Sequence, residues 1–168
     1  MKKPDFFIDI FLQPGELYFG DSETRIRTVL GSCVAITLWH PTRRIGGMCH
    51  FMLPGNRRIQ RHKGLDGRYA DDAMLMFMQE LHKTKTRPAD YEVKVFGGGD
   101  QFPGHSKPAN LRVSDNNVLA GRALLAEHGF HIKAEHLGGT GHRNVIFDLW
   151  SGHVYMRHIS KELEEISA

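Results

Sequence analysis

Cysteine is scarce in this chain: two among 168 residues, Cys33 and Cys49, with no CxxC pair to hold zinc or run a redox exchange. Long apolar runs are missing as well, and no stretch approaches the roughly 20 apolar residues a membrane-spanning helix needs. The N-terminal stretch, MKKPDFFIDIFLQPGELYFG, starts basic, but Asp5, Asp9 and Gln13 interrupt any signal-peptide core. Charge of one sign is not in excess. The formal net charge of +3 lacks the clustered basicity of a nucleic-acid binder and at most favours an acidic partner surface. Internal repeats and low-complexity segments are absent. What remains is one domain over 1–168, with 40% hydrophobic residues and enough core to fold alone. The expectation is a soluble, cytoplasmic protein, monomeric when free, with no cofactor and no metal.

The chain is organised around Arg27 to Pro54, RTVLGSCVAITLWHPTRRIGGMCHFMLP. Leu30-Gly31-Ser32-Cys33 leads into an extended apolar run, Val34 to Trp39. A turn at Pro41 follows, then a second run from Ile45 to Leu53 that carries His50, 17 residues after Cys33. Two strands joined by that turn fold back and can bring thiol and imidazole together. A free thiol is mostly protonated at neutral pH, and a nearby histidine can make it a thiolate nucleophile. Gly31 permits a close backbone approach just before Cys33. In an extended GGMCHFM segment side chains alternate, so His50 shares a face with Met48 and Met52 while Cys49 points away. Cys33 is therefore the better partner for His50. The rival readings are a buried structural cysteine, a Cys33–Cys49 disulfide and a zinc site. A reducing cytosol disfavours the disulfide, and adjacent Cys49 and His50 make poor zinc ligands on one strand.

Around this hairpin, residues 1–15 read as a lead segment with Phe6, Phe7, Ile10 and Phe11 laid over the core. Glu16–Gly20 and Ile26–Leu30 read as short strands. Gly55 to Gly64 is a basic loop placed to guide a substrate or merely to connect. Tyr69, Ala73, Met76, Phe77 and Leu81 recur at three- and four-residue steps, predicting a helix over Tyr69–Lys83 with Met74, Met76 and Met78 as core filler. Glu92–Phe96 alternates as a strand and runs into Gly97-Gly98-Gly99-Asp100. Gly99 and Gly104 have Walker-like spacing, but His105-Ser106-Lys107 misplaces the lysine, which excludes a P-loop. Ser114 is expected to cap a second helix, Asn116–His128, ended by Gly129 and buried through Val118, Leu119, Ala123, Leu124 and Ala126. Phe130–Leu137 is a strand whose histidines do not fit H-x-x-E-H. Asn144–Trp150 and His153–His158 make a hairpin across Ser151-Gly152, and Ile159–Ile166 an amphipathic C-terminal helix within 159–168. Strands first, then mixed helices and strands, indicate an α+β sandwich.

Thr28-Val29-Leu30-Gly31-Ser32-Cys33 and Gly46-Gly47-Met48-Cys49-His50-Phe51-Met52-Leu53-Pro54 resemble the CheD family of chemotaxis proteins. The resemblance continues through Arg68-Tyr69-Ala70, Lys94-Val95-Phe96-Gly97-Gly98 and Gly138-Gly139-Thr140-Gly141-His142-Arg143, covering about residues 16–158. It implies a chemoreceptor glutamine deamidase built as a three-layer α/β/β sandwich, similar to the catalytic domain of cytotoxic necrotizing factor. Carried onto this chain, Cys33 is the nucleophile, His50 the base, and Thr28 orients His50; some family members place that threonine where this chain has Arg27. Gly31 and Ser32 are oxyanion candidates beside the Cys33 amide. Partners implied are receptor cytoplasmic helices as substrate and a CheC-like phosphatase, with Phe96, Gly97 and Gly98 and the C-terminal helix as candidate docking surfaces. An adaptor with little catalysis, or a receptor methylesterase using the same thioester, are the alternatives.

Overall fold

The computed structural model describes residues 1–55, 64–105, 107–108 and 112–160. The basic loop after Gly55 and the C-terminal helix expected beyond Ile159 fall largely on residues outside that set. Nine strands and two long helices occur among the described residues. The order is β1 (Ile8–Phe11), β2 (Leu17–Gly20), β3 (Thr24–Leu30), β4 (Val34–His40), β5 (Ile45–Phe51) and α1 (Ala70–Thr84). Then come β6 (Glu92–Gly97), α2 (Val113–Glu127), β7 (Ile132–Leu137), β8 (His142–Asp148) and β9 (His153–Ile159).

The strands form two sheets, β1-β3-β8-β9 and β2-β5-β4-β6-β7. The five-stranded sheet is covered on both faces, which is why β4 and β5 read as near-continuous apolar runs rather than alternating ones. One face packs Ile36, Leu38, Phe51, Val93 and Val95 against Ala73, Met74, Phe77 and Leu81 of α1 and Leu125 of α2. The other packs Ala35, Met48 and Phe96 against Ile26, Leu30, Val145 and Phe147 of the four-stranded sheet. Helices, sheet and sheet thus stack as an α+β sandwich of three layers. Full burial of each large side chain such as Phe51, Phe77 or Phe147 contributes on the order of 1.5–3 kcal/mol.

Helix α1 matches its sequence periodicity. Asp71 and Asp72 sit in its first turn and His82 and Lys83 in its last, as the helix dipole favours, and Lys85 ends it in the left-handed region at φ 54°. Two sequence expectations need correction. The lead segment is more than a cover: β1 pairs in parallel with β3, and Leu12, just beyond it, is buried in the inter-sheet core. Phe6, by contrast, is 88% exposed. The second helix starts earlier and is rotated. Ser114 lies inside its first turn, Arg112 holds the N-cap position without a side-chain bond, and the buried line is Ser114, Asn117, Gly121 and Leu125. Leu119, Ala123 and Ala126 face solvent. A polar residue and a glycine occupy the buried line because α2 approaches the sheet closely there, Gly121 lying against Phe51 and Val34.

Candidate active site

Strands β4 and β5 are antiparallel, with Val34 opposite Phe51 and Ala35 opposite His50. Cys33 stands two residues before Ala35, so it shares the face of Ala35 and His50, a diagonal separation of roughly 7–8 Å in a regular ladder. Its packing agrees: Cys33 lies against the core between the sheets, whereas Cys49 belongs to the core beneath the helices. Both thiols are free, and their opposite faces explain why they form no disulfide. Backbone bonds from outside the hairpin also fix β5 at the histidine, His50 N–H donating to Glu16 O at 3.1 Å and Gly15 N–H to His50 O at 2.7 Å.

Thr28 and His50 come together across the two sheets. Thr28 Oγ1 lies 2.9 Å from the Leu12 carbonyl and 2.7 Å from His50 Nδ1. A hydroxyl has one hydrogen and a carbonyl can only accept, so Thr28 donates to Leu12 and must accept from His50 Nδ1–H. This places the ring proton on Nδ1 and leaves Nε2 with its lone pair. His50 is 2% exposed, and Nε2 is buried without a hydrogen-bond partner among the described residues. Burial pulls the His50 pKa down to about 4, opposed in part by the charge of Glu16. Burial likewise pushes the half-buried Cys33 thiol up. Both shifts favour the thiol and the neutral imidazole at neutral pH. The cause is desolvation, which disfavours either charge at this position.

The main chain around Cys33 is held by two glycine loops. Gly98 N–H donates to Cys33 O at 2.8 Å, and Gly99 N–H to Gly31 O at 2.9 Å. Gly97 sits at φ 114°, and any Cβ there would collide with the Cys33 carbonyl. Loop 138–141 backs this arrangement, with Gly138 N–H donating to Gly97 O and Asp100 N–H to Gly139 O. Phe96, Gly97 and Gly98 are all buried, Phe96 at 7% exposure, so this step braces Cys33 and offers no docking surface in this structure. Gly31 packs against the side chain of Gln101 and needs no left-handed backbone.

A cavity of about 520 Å³ opens at Ser32 and Cys33. Met52, Leu53, Phe102 and Val113 give it apolar walls, and Asp100, His105, Lys107 and Arg112 supply charged and polar groups. One residue of this region escaped the sequence reading. Asn117 of α2 is fully buried and donates through Nδ2 to Ser32 O at 3.1 Å and to Met52 O at 2.8 Å. Only the correct rotation of α2 would have exposed it as a polar residue on a buried line.

No helix among the described residues is long and apolar enough to cross a membrane. A family model described as "CheD chemotactic sensory transduction" matches residues 52–158. The chain is 53% identical, over its whole length and 94% of the relative's, to a Pseudomonas savastanoi pv. phaseolicola protein. That relative is named "Probable chemoreceptor glutamine deamidase CheD". A Dechloromonas aromatica protein, "Probable chemoreceptor glutamine deamidase CheD 3", is 45% identical over 91% of this chain and 89% of its own. A Leptospira interrogans protein, "Probable chemoreceptor glutamine deamidase CheD 1", is 39% identical over 92% of this chain and 95% of its own. With a family model matching residues 52–158 and identity running through nearly the full length of such relatives, the chain belongs to the CheD family.

Proposed function

We propose that this protein hydrolyses glutamine side-chain amides on chemoreceptors to glutamate, with Cys33 as nucleophile, His50 as base and Thr28 as its orienting partner. The observation that carries the reading is the unpartnered, lone-pair-bearing Nε2 of His50, buried on the sheet face that Cys33 shares. An unpaired buried nitrogen costs stability, and use in a reaction is a reason for it to be kept.

The chemistry follows from the neutral pair. Cys33 turns its S–H onto Nε2, and the proton moves to His50 as the sulfur attacks the glutamine Cδ. The new C–S bond pushes the carbonyl electrons onto oxygen, where the Cys33 amide and the Gly31-Ser32 segment are the nearest candidate donors. His50, now imidazolium on the Thr28 oxygen, returns its proton to the amide nitrogen. The C–N bond breaks, ammonia leaves and a thioester remains. Water then gives a proton to Nε2 and attacks the thioester carbon; the C–S bond breaks, glutamate leaves, and Nε2 returns the proton to the Cys33 sulfur. The family relatives named as chemoreceptor glutamine deamidases support the substrate. The α/β/β layering supports the expected likeness to the catalytic domain of cytotoxic necrotizing factor.

The test is incubation with receptor cytoplasmic fragments, followed by mass spectrometry of the glutamine-containing peptides. Conversion to glutamate should persist with chelators and stop after thiol alkylation. Binding of receptor, or of a CheC-like phosphatase, without conversion under any condition would mean an adaptor instead.

Thr28→Val tests the third role. Valine keeps the shape but cannot accept from Nδ1, so the ring loses its fixed tautomer. Turnover should fall about 10- to 100-fold with KM little changed, because orientation matters in the transition state. An unchanged kcat, measured on the same receptor peptides, would remove Thr28 from the mechanism.

A further inference from the structure

We infer that Asn117 is a positioning residue that sets the spacing between Cys33 and His50, an inference that rests on the Cys33–His50 reading above. Val34 opposite Phe51 is the last register pair of the β4–β5 ladder toward the cavity. Beyond it stand Ser32 and Met52, one residue before Cys33 and two after His50. The Asn117 carboxamide donates one N–H to each of their carbonyls, at 3.1 and 2.8 Å. It acts as a substitute rung where the backbone ladder runs out. A carboxamide is planar and its two hydrogens diverge at a fixed angle, so the rung holds the two carbonyls at one separation.

Helix α2 delivers this group from the opposite side of the sheet from His50. Gly121, one turn on, lies against Phe51 and Val34 and lets the helix come close enough for the reach. Ser114, one turn before, lines the cavity beside Cys33. Asn117 is wholly shielded from solvent, and its Oδ1 has no partner among the described residues. A residue selected for packing alone would not leave a buried carbonyl oxygen unpaired; leucine fills a similar volume without that cost. The carboxamide fits a geometric task, holding together two chain ends that carry reacting groups.

The experiment uses the full chain with Asn117→Leu, which removes both donors, and Asn117→Ser, which keeps one hydroxyl donor in a smaller side chain. Three quantities are measured: melting temperature, kcat and KM on receptor peptides, and the rate of Cys33 alkylation by iodoacetamide from pH 6 to 10. The expected result for Asn117→Leu is a folded protein whose kcat falls about 10- to 100-fold with KM within about twofold, as small misplacements of reacting groups produce. Asn117→Ser should fall between it and the parent, and it carries the test if the leucine variant does not fold. Alkylation near pH 7, in which His50 takes the thiol proton as the sulfur attacks the reagent, should slow to the rate of His50→Gln, and the Asn117→Leu, His50→Gln double variant should be no slower than His50→Gln alone, since both disable one pair. Parent-like kcat and alkylation in folded variants would overturn the inference, as would fully additive losses in the double variant. If the parent itself converts no glutamine, the deamidase reading fails, while the alkylation profiles still decide whether Asn117 sets the pair.

Discussion

Cys33→Ala is expected to abolish glutamine conversion, lowering turnover by more than about a thousandfold, as removal of a covalent nucleophile does. The fold should persist. Cys33 is only half-buried at the margin of the inter-sheet core, and losing its sulfur leaves little void. Cys49 gives the opposite pattern. It is 1% exposed in the core beneath the helices, so Cys49→Ala should keep turnover while costing about 1–2 kcal/mol of stability through a small cavity. Peptide mass spectrometry and urea denaturation on both variants separate the two roles. Equal loss of turnover in both would sink the assignment of Cys33 as nucleophile.

His50→Gln should lower kcat by about a thousandfold and also change how stability responds to acid. Folded His50 has its pKa pulled down to about 4, whereas in the unfolded chain it titrates near the ordinary value of 6.5. Between these two values the unfolded state takes up a proton that the folded state refuses. The parent is therefore fully stabilised above pH 6.5 and loses stability as pH falls toward 4. From this residue alone the loss is about 2 kcal/mol by pH 5 and about 3 kcal/mol by pH 4. Glutamine cannot be protonated, so the variant should lack this share of the acid sensitivity. Urea denaturation at pH 7 and pH 5 measures the difference directly. A parent and variant with identical pH slopes would mean that His50 is not buried in its neutral form in solution.

The hairpin was legible in the sequence because it rests on local periodicity. Alternation alone separates His50 from Cys49, and the Pro41 turn fixes which strands meet. Helix α1 was legible for the same reason, its apolar residues repeating at helical steps. Three features were not. Strand β1 has four residues and a parallel partner 16 positions away, so nothing nearby in sequence marks it. With it went the Leu12 carbonyl that fixes the Thr28 hydroxyl and, through it, the ring proton of His50. Helix α2 was misphased because its buried line includes Ser114, Asn117 and Gly121, where apolar patterning finds nothing to follow. The Phe96-Gly97-Gly98 step entered as a candidate docking surface through the family resemblance, and no local pattern marks that the missing side chain at Gly97 admits the Cys33 carbonyl.

The burial of Cys33 and His50 also bears on how the thiol survives between substrates. Peroxide and electrophilic metabolites attack thiolates far faster than thiols. Burial favours the protonated form of Cys33, which is a poorer target for those reagents than a thiolate. On the proposed mechanism the thiol gives up its proton only as the sulfur attacks, so a resting Cys33 is spared much of the oxidation that a standing thiolate would meet.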